Sequence, residues 1–293
     1  MSVAPVAPGK DQSAPAPAAV SQAVLNVVSS LLEARTGQQI AAYRSWRIDT
    51  ALKPLLRDRG LATLDQLVAR LLDGQDASLA DQIVDALVNG ETSFFREAPV
   101  FDQVVEAVAA VEATGRRARI WCAGCSSGQE PLSLAMLFAE RAADHGKPMP
   151  DIVATDVSEQ AVTRTRTGRF TQFEIQRGLP IRRMMRWFDA AGNDWAAKPE
   201  LLRTITVRRH NLVTDPPPVG TYDVLLCRNV LLYLSAATKA DVFTRFARAL
   251  RPGGVLVLGA GETVIGQTDA FEPSRRLRGF YERAARLPRA SAA

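Results

Sequence analysis

Residues 119–136 read RIWCAGCSSGQEPLSLAM. Arg119 to Ala123 form a short apolar run of the kind a buried strand makes, a glycine- and serine-rich turn follows, and from about Pro131 the pattern becomes helical. Glycines at such a turn let the backbone approach a ligand closely, and the helix behind it offers free N–H groups at its start. The turn lacks the GxGxxG spacing of dinucleotide folds and has no lysine for a phosphate-binding loop. Taken alone, it fits a tight turn as well as a binding site.

The flanking sequence decides between these. DIVATDV (151–157), ITVRRHNL (205–212), YDVLLCRN (222–229) and GGVLVLGA (253–260) repeat the strand pattern, and longer amphipathic stretches separate them, one of them a helix through Phe243 to Leu250. Strands alternating with helices imply crossover connections and a mostly parallel sheet, so the fold class is α/β. Open sheets of this kind bind ligands at the carboxyl ends of their strands. Asp156 ends the second strand, where an acid can accept both hydroxyls of a ribose, and together with the turn containing Gly124 it indicates a nucleoside site. Arg228 and Asn229 directly follow a fully apolar strand and are poor core material, so they are expected to face the cleft. Tyr233, four residues on, is within reach of the same opening, although a half-buried helical tyrosine would read the same way.

Upstream the pattern is different. Residues 1–20 are rich in Ala and Pro without large apolar side chains and are expected to be a disordered tail. Residues 21–91 read as a small all-helical domain: Val24, Val27, Val28, Leu31 and Leu32, then Leu61 to Leu72, then Ile83, Val84 and Leu87 recur at helical spacing, with Gly60 and Gly74 as helix ends. At 293 residues and 47% hydrophobic content the chain can form one small and one large core, the larger domain spanning 92–290. No stretch reads as a signal peptide or a bilayer span, and Cys122, Cys125 and Cys227 lie in apolar runs without a second Cys or His pair at zinc spacing. A cytoplasmic protein with reduced, buried thiols and no metal is expected.

Several of these stretches carry a family likeness. GETSFFRE, IWCAGCSSGQEPLSLAM, ATDVSEQAVTRTRTGRFTQFEIQRGLP, HNLV, YDVLLCRNVLLYLS and LRPGGVLVLGAGE occur in this order between about residues 25 and 285 and resemble the CheR family of chemotaxis receptor glutamate methyltransferases. TSFFRE is the most specific of them, because general methyltransferases lack it. The resemblance implies a helical N-terminal domain, a Rossmann-like S-adenosylmethionine methyltransferase domain with a small subdomain inserted at about 170–205, and esterification of glutamate side chains on methyl-accepting chemoreceptors. It further implies that Thr92 and Arg96 reach the cofactor from the interdomain segment, that Glu130 follows the glycine turn, that Asp156 holds the ribose and that Asn211 with Leu212 flanks the adenine. By the same carry-over Arg228 and Asn229 close the cleft, with Tyr233 near the reacting sulfur and the substrate carboxylate; of these residues Arg96 and Tyr233 are the expected catalytic pair, Arg96 neutralising a carboxylate of the cofactor or the substrate. The chain departs from the family in two places: Gly90, with Asn89 beside it, replaces the usual asparagine two residues before the threonine, and Leu132 replaces a common tyrosine.

The charge pattern and the chemistry agree with this likeness. A net charge of +5 favours an acidic partner. Arg164, Arg166, Arg169, Arg177, Arg182, Arg183 and Arg186 are opposed in their stretch only by Glu174, and Arg44, Arg47, Lys53, Arg57 and Arg59 lie in the helical domain. These are either solvated faces or docking surfaces for the acidic cytoplasmic domains of receptors. The expected partners are those domains, with no nucleic acid, no membrane insertion and a monomeric enzyme. Two rival readings remain. A silent adenosylmethionine-binding signalling module would be expected to lack Arg96, Asp156 or Tyr233, all of which are present. A nucleic-acid amino-methyltransferase is suggested by Asp215-Pro216-Pro217-Pro218, but that motif precedes the fourth strand instead of ending it and lacks its aromatic residue.

Overall fold

The computed structural model describes residues 21–41 and 46–284. The stretch 1–20, expected to be a disordered tail, lies outside the described residues, as does Arg44. Four helices open the chain: α1 (Gln22–Thr36), α2 (Trp46–Asp58), α3 (Leu64–Leu72) and α4 (Leu79–Leu87). Their boundaries follow from local chemistry. The Ser21 hydroxyl accepts from the Val24 N–H at the start of α1, Gly37 ends that helix in the left-handed conformation, and the Thr63 hydroxyl caps α3. The apolar stripes Val24–Val28–Leu32, Ile48–Leu52–Leu56 and Leu79–Ile83–Leu87 meet in a core of their own.

After α5 (Pro99–Glu112) comes the sheet: β1 (Arg119–Ala123), α6 (Gln129–His145), β2 (Asp151–Asp156) and α7 (Glu159–Thr167), later β6 (Ile205–Arg209), β7 (Tyr222–Cys227), α11 (Ala236–Ala249), β8 (Leu250–Leu258), β9 (Phe271–Pro273) and β10 (Phe280–Arg283). The strand order is β6-β2-β1-β7-β8-β10-β9. The first five strands in this order are parallel and β10 and β9 are antiparallel, which makes an open, mostly parallel α/β sheet. The chain runs outward from β1 through β2 to β6, then returns to β7 on the other side of β1 and proceeds to β8. The order therefore reverses between β1 and β7, which opens a crevice at their carboxyl ends. The closing hairpin β9–β10 has no counterpart in the sequence reading. Its strands are three and four residues long, one carries Pro273, and Gly279 directly precedes the other, so neither shows an alternating pattern.

Between α7 and β6 the chain makes a second, three-stranded antiparallel sheet, β3 (Arg169–Thr171), β5 (Asp194–Ala197) and β4 (Phe188–Ala191), with α8 (Gln172–Gln176), α9 (Ile181–Trp187) and α10 (Pro199–Leu202). Phe94, from the segment joining the helical unit to α5, is buried against this sheet. Its ring lies 5.0 Å from Phe170 and 5.7 Å from Phe188, edge-on to both. Gly178 makes the approach possible: it has φ +87°, and a Cβ there would run into the Phe94 carbonyl oxygen. Among the described residues no helix is long and apolar enough to cross a membrane.

Because Phe94 fastens the joining segment to the inserted sheet, Phe94→Ala should destabilise the protein by about 3–5 kcal/mol, the transfer loss plus the cavity it leaves. Urea unfolding followed by circular dichroism measures this, and a loss below about 1 kcal/mol would mean that the ring does not anchor the segment.

Candidate active site

At the carboxyl ends of β1, β2 and β7 lies a cleft of about 1270 Å³ including its open mouth, roofed by the end of α1 and by residues 85–93. Thr92, Arg96, Gly124, Glu130, Asp156, Asn211, Leu212, Arg228, Asn229 and Tyr233 all line it. Residues spread over 140 positions are thus brought to one opening by the reversal of strand order.

The glycine turn forms its floor. Gly124 has φ +75°, and a Cβ there would stand 2.5 Å from Val230 Cγ2, so only glycine lets the turns after β1 and β7 meet. The Gly124 and Cys125 N–H groups donate to the Thr155 carbonyl at 2.8 and 2.9 Å. Asp156 accepts from the Ser126 N–H at 2.8 Å and the Ser158 N–H at 3.0 Å, one on each oxygen. Burial pushes its carboxyl above the usual carboxylate range, while the N–H groups of Ser158 and Ser126 oppose the shift. Each oxygen keeps a lone pair for a ligand hydroxyl.

Arg228 holds the back wall. Its guanidinium donates to Glu130 Oε2 at 3.0 Å and to the Arg96 carbonyl at 2.8 Å, and it lies 3.1 Å from Glu97 Oε2. The side chain is 3% exposed, and its Nε is buried without a partner among the described residues. Burial raises the Glu130 pKa and the Arg228 charge opposes this. Arg228 is therefore committed mainly to protein groups and braces the wall around Arg96. The Arg96 side chain donates only a long bond, 3.3 Å, to the Glu91 carbonyl, and among the described residues it has no carboxylate partner. Phe95 (φ +50°) and Glu97 (φ +59°), on either side of it, are left-handed, a conformation that costs a residue with a side chain about 1–3 kcal/mol.

Asn211 and Leu212 lie on the opposite wall. The Asn211 amide donates to the Arg35 carbonyl at 2.7 Å, which ties α1 to the cleft, and its backbone N–H donates to Asp215 at 2.9 Å. The Asp215 carboxylate thus stabilises a turn before β7, which accounts for the Asp-Pro-Pro-Pro stretch without a base-binding role. His210 is buried, its Nε2 lies 2.9 Å from the Pro216 carbonyl, and burial lowers its pKa.

The turn after β7 carries Asn229, left-handed at φ +61°, whose Oδ1 is buried without a partner among the described residues, and a single 3-10 turn at Leu231–Tyr233. The Asn89 amide donates to the Tyr233 hydroxyl, and the Gln39 N–H donates to the Tyr233 carbonyl at 2.8 Å. The asparagine displaced by one position from the family's place is therefore bound to Tyr233, while the Gly90 carbonyl accepts from the Ser126 hydroxyl at 2.7 Å. Sequence reasoning noted Asn89 without a partner for it and missed Ser126 and Glu262. Glu262 was open to detection by the rule that marked Arg228 and Asn229, since it is a charged residue close behind an apolar strand.

A family description, "CheR methyltransferase, SAM binding domain", matches residues 90–279. The chemotaxis protein methyltransferase Cher2 of Pseudomonas putida is 35% identical over 248 residues, 82% of this chain and 90% of that one. Chemotaxis protein methyltransferase 1 of Pseudomonas aeruginosa is 35% identical over the same shares. A chemotaxis protein methyltransferase of Listeria monocytogenes is 30% identical over 235 residues, covering 80% of this chain and 87% of its own.

Asp156→Asn should weaken S-adenosylmethionine binding by about tenfold to 150-fold, because a charged acceptor is lost at the tip of β2, a cost of about 1.5–3 kcal/mol. Calorimetry on the folded variant measures it. Unchanged affinity would take Asp156 out of the cofactor's contacts.

Proposed function

Since the chain belongs to the CheR methyltransferase family and is an S-adenosylmethionine-dependent methyltransferase, we propose that it esterifies glutamate side chains on the cytoplasmic domains of methyl-accepting chemoreceptors. The observation that carries this reading is the Arg96 guanidinium, held in the cleft by its braced backbone and, among the described residues, in no ion pair with a carboxylate. A cleft lined by a planar cation in no ion pair and by a tyrosine is suited to align a carboxylate.

The cleft fits the cofactor by its donor set. Asp156 and Glu130 provide acceptors for hydroxyl and ammonium groups, Asn229 adds an unpartnered buried oxygen, and Arg96 provides the countercharge for a carboxylate. Thr92, Gly124, Asn211, Leu212 and Arg228 complete its walls. When bound, S-adenosylmethionine supplies a methyl group on a sulfonium, which a carboxylate can attack directly. A glutamate side chain, with an ordinary pKa of about 4.3, is ionised at neutral pH, so the protein need not provide a general base. Its residues orient the reactants and exclude water. With the Asn89 amide donating to its oxygen, the Tyr233 hydroxyl keeps its own proton to donate to the incoming carboxylate.

We assign residues 21–91 to a helical domain and 92–290 to the methyltransferase domain, of which 42–45 and 285–290 lie outside the described residues, with the insertion at about 170–205 as a subdomain. Phe173, 75% exposed, together with exposed Ile181 and Met185, shares this insertion with Arg177, Arg182 and Arg186. An exposed apolar and basic composition of this kind suits an acidic amphipathic receptor helix.

Arg96→Lys should keep the fold but cut methyl transfer to receptor cytoplasmic domains by about ten- to a hundredfold, a barrier increase of about 1.4–2.7 kcal/mol, because lysine cannot make a two-point contact. Labelled cofactor measures the rate, and the labelled product should release methanol in alkali. A label that survives alkali would mean a nitrogen acceptor, and the glutamate reading would fall.

A further inference from the structure

The turn that carries Asn229 and Tyr233 is fastened by one side chain outside the cleft. Glu262 lies just beyond β8, in a turn closed by its own N–H donating to the Gly259 carbonyl at 2.9 Å. Its Oε2 accepts from the Asn229 N–H at 2.7 Å and the Gly259 N–H at 2.9 Å. Its Oε1 accepts from the Val230 N–H at 3.0 Å and the Leu232 N–H at 3.2 Å. An ionised carboxylate has only acceptors, about four lone-pair sites, and here four backbone donors meet them. Glu262 is not among the residues that line the cleft.

The geometry points to Glu262 as a positioning residue for methyl transfer, its carboxylate holding the turn after β7 so that Tyr233 meets the substrate carboxylate. The inference rests on the proposed role of Tyr233. Three features support it. Asn229 is left-handed at φ +61°, and a strained residue keeps that conformation only when its surroundings impose it. The Tyr233 N–H donates to the Val230 carbonyl at 3.2 Å, so the 3-10 turn bearing the tyrosine starts from a residue whose own N–H is bound to Glu262. The turns after β7 and β8 also pack closely: a Cβ on Gly259 would lie 2.8 Å from Asn229 Nδ2 and 2.9 Å from its backbone nitrogen. One carboxylate thus spans the tips of two neighbouring strands.

Glutamine is the informative substitution, since it keeps the shape but turns an NH2 toward two of the four N–H donors. In the full-length enzyme, with receptor cytoplasmic domains and labelled S-adenosylmethionine, Glu262→Gln should lower kcat by about ten- to a hundredfold, because displacement of a reacting group by about 1 Å costs that much. Cofactor affinity should fall less than kcat. A double-mutant cycle separates positioning from general support. If Glu262 acts through Tyr233, then Tyr233→Phe combined with Glu262→Gln should be little slower than the slower single variant. Rate losses that multiply, or an unchanged kcat in Glu262→Gln, would overturn the inference while leaving the glutamate reading intact. A neutral Tyr233→Phe would overturn both the role of Tyr233 and this inference. Should Glu262→Gln fail to fold, Gly259→Ala disturbs the same junction with Glu262 in place and should lose kcat non-multiplicatively with Tyr233→Phe. A multiplicative loss there counts against the inference equally.

Discussion

The buried guanidinium of Arg228 is the interaction on which the cleft depends. It leaves the tip of β7 and reaches two carboxylates and a carbonyl on two other elements: Glu130 at the start of α6, and Glu97 and the Arg96 carbonyl in the joining segment. Burying a cation is costly unless its charge and donors are met, and the cost is returned only by close geometry. Once α6 is seated behind the glycine turn, Glu130 is in place to receive Arg228. Arg228 then fixes where the joining segment must run, and that segment fixes Arg96.

Four residues other than glycine have a left-handed backbone among the described residues: Phe95, Glu97, Ser126 and Asn229. All four lie at or beside the cleft, and each has a polar restraint. Phe95 donates to the Ser133 hydroxyl at 3.1 Å, Glu97 is paired with Arg228, Ser126 is held by Asp156, and Asn229 by Glu262. Strain of this kind persists where surrounding contacts over-determine it. The charged side chains around the opening thus have two tasks. They present charge to a ligand, and they hold short turns in conformations those turns would not adopt alone.

The two smaller units complete the site from outside the main sheet. The helical unit contributes the roof through the Arg35 carbonyl, the Gln39 N–H and the Asn89 amide, each bound to a residue on the far wall. The inserted sheet receives Phe94 between Phe170 and Phe188, so the joining segment is gripped two residues before Arg96. Arg177 adds an ion pair with Glu91 at 2.5 Å on the same segment. The inserted sheet shares one apolar core with the main sheet, whereas the helical unit has a core of its own and meets the cleft through polar contacts.

The sequence by itself determined the α/β class and the parallel core strands, and its own pattern marked Gly124, Asp156, Arg228, Asn229 and Tyr233 among the residues that line the cleft, whereas Thr92, Arg96, Glu130, Asn211 and Leu212 came only from the family likeness. Strand and helix periods are local, and the rule that ligands gather at strand carboxyl ends needs only those periods. GETSFFRE and its companion stretches supplied the family likeness, which no period contains. The tertiary structure alone decided the pairings: Asn89 with Tyr233, Arg228 with Glu97, and Glu262 with the turn after β7. These join residues 144, 131 and 33 positions apart. The closing hairpin was hidden for a related reason, since β10 takes its register from β8 and not from a pattern of its own. A charged side chain gives no sign in the sequence of which partner will neutralise it. That choice is made when the sheet closes, because burial makes an unmet charge or N–H too costly to leave.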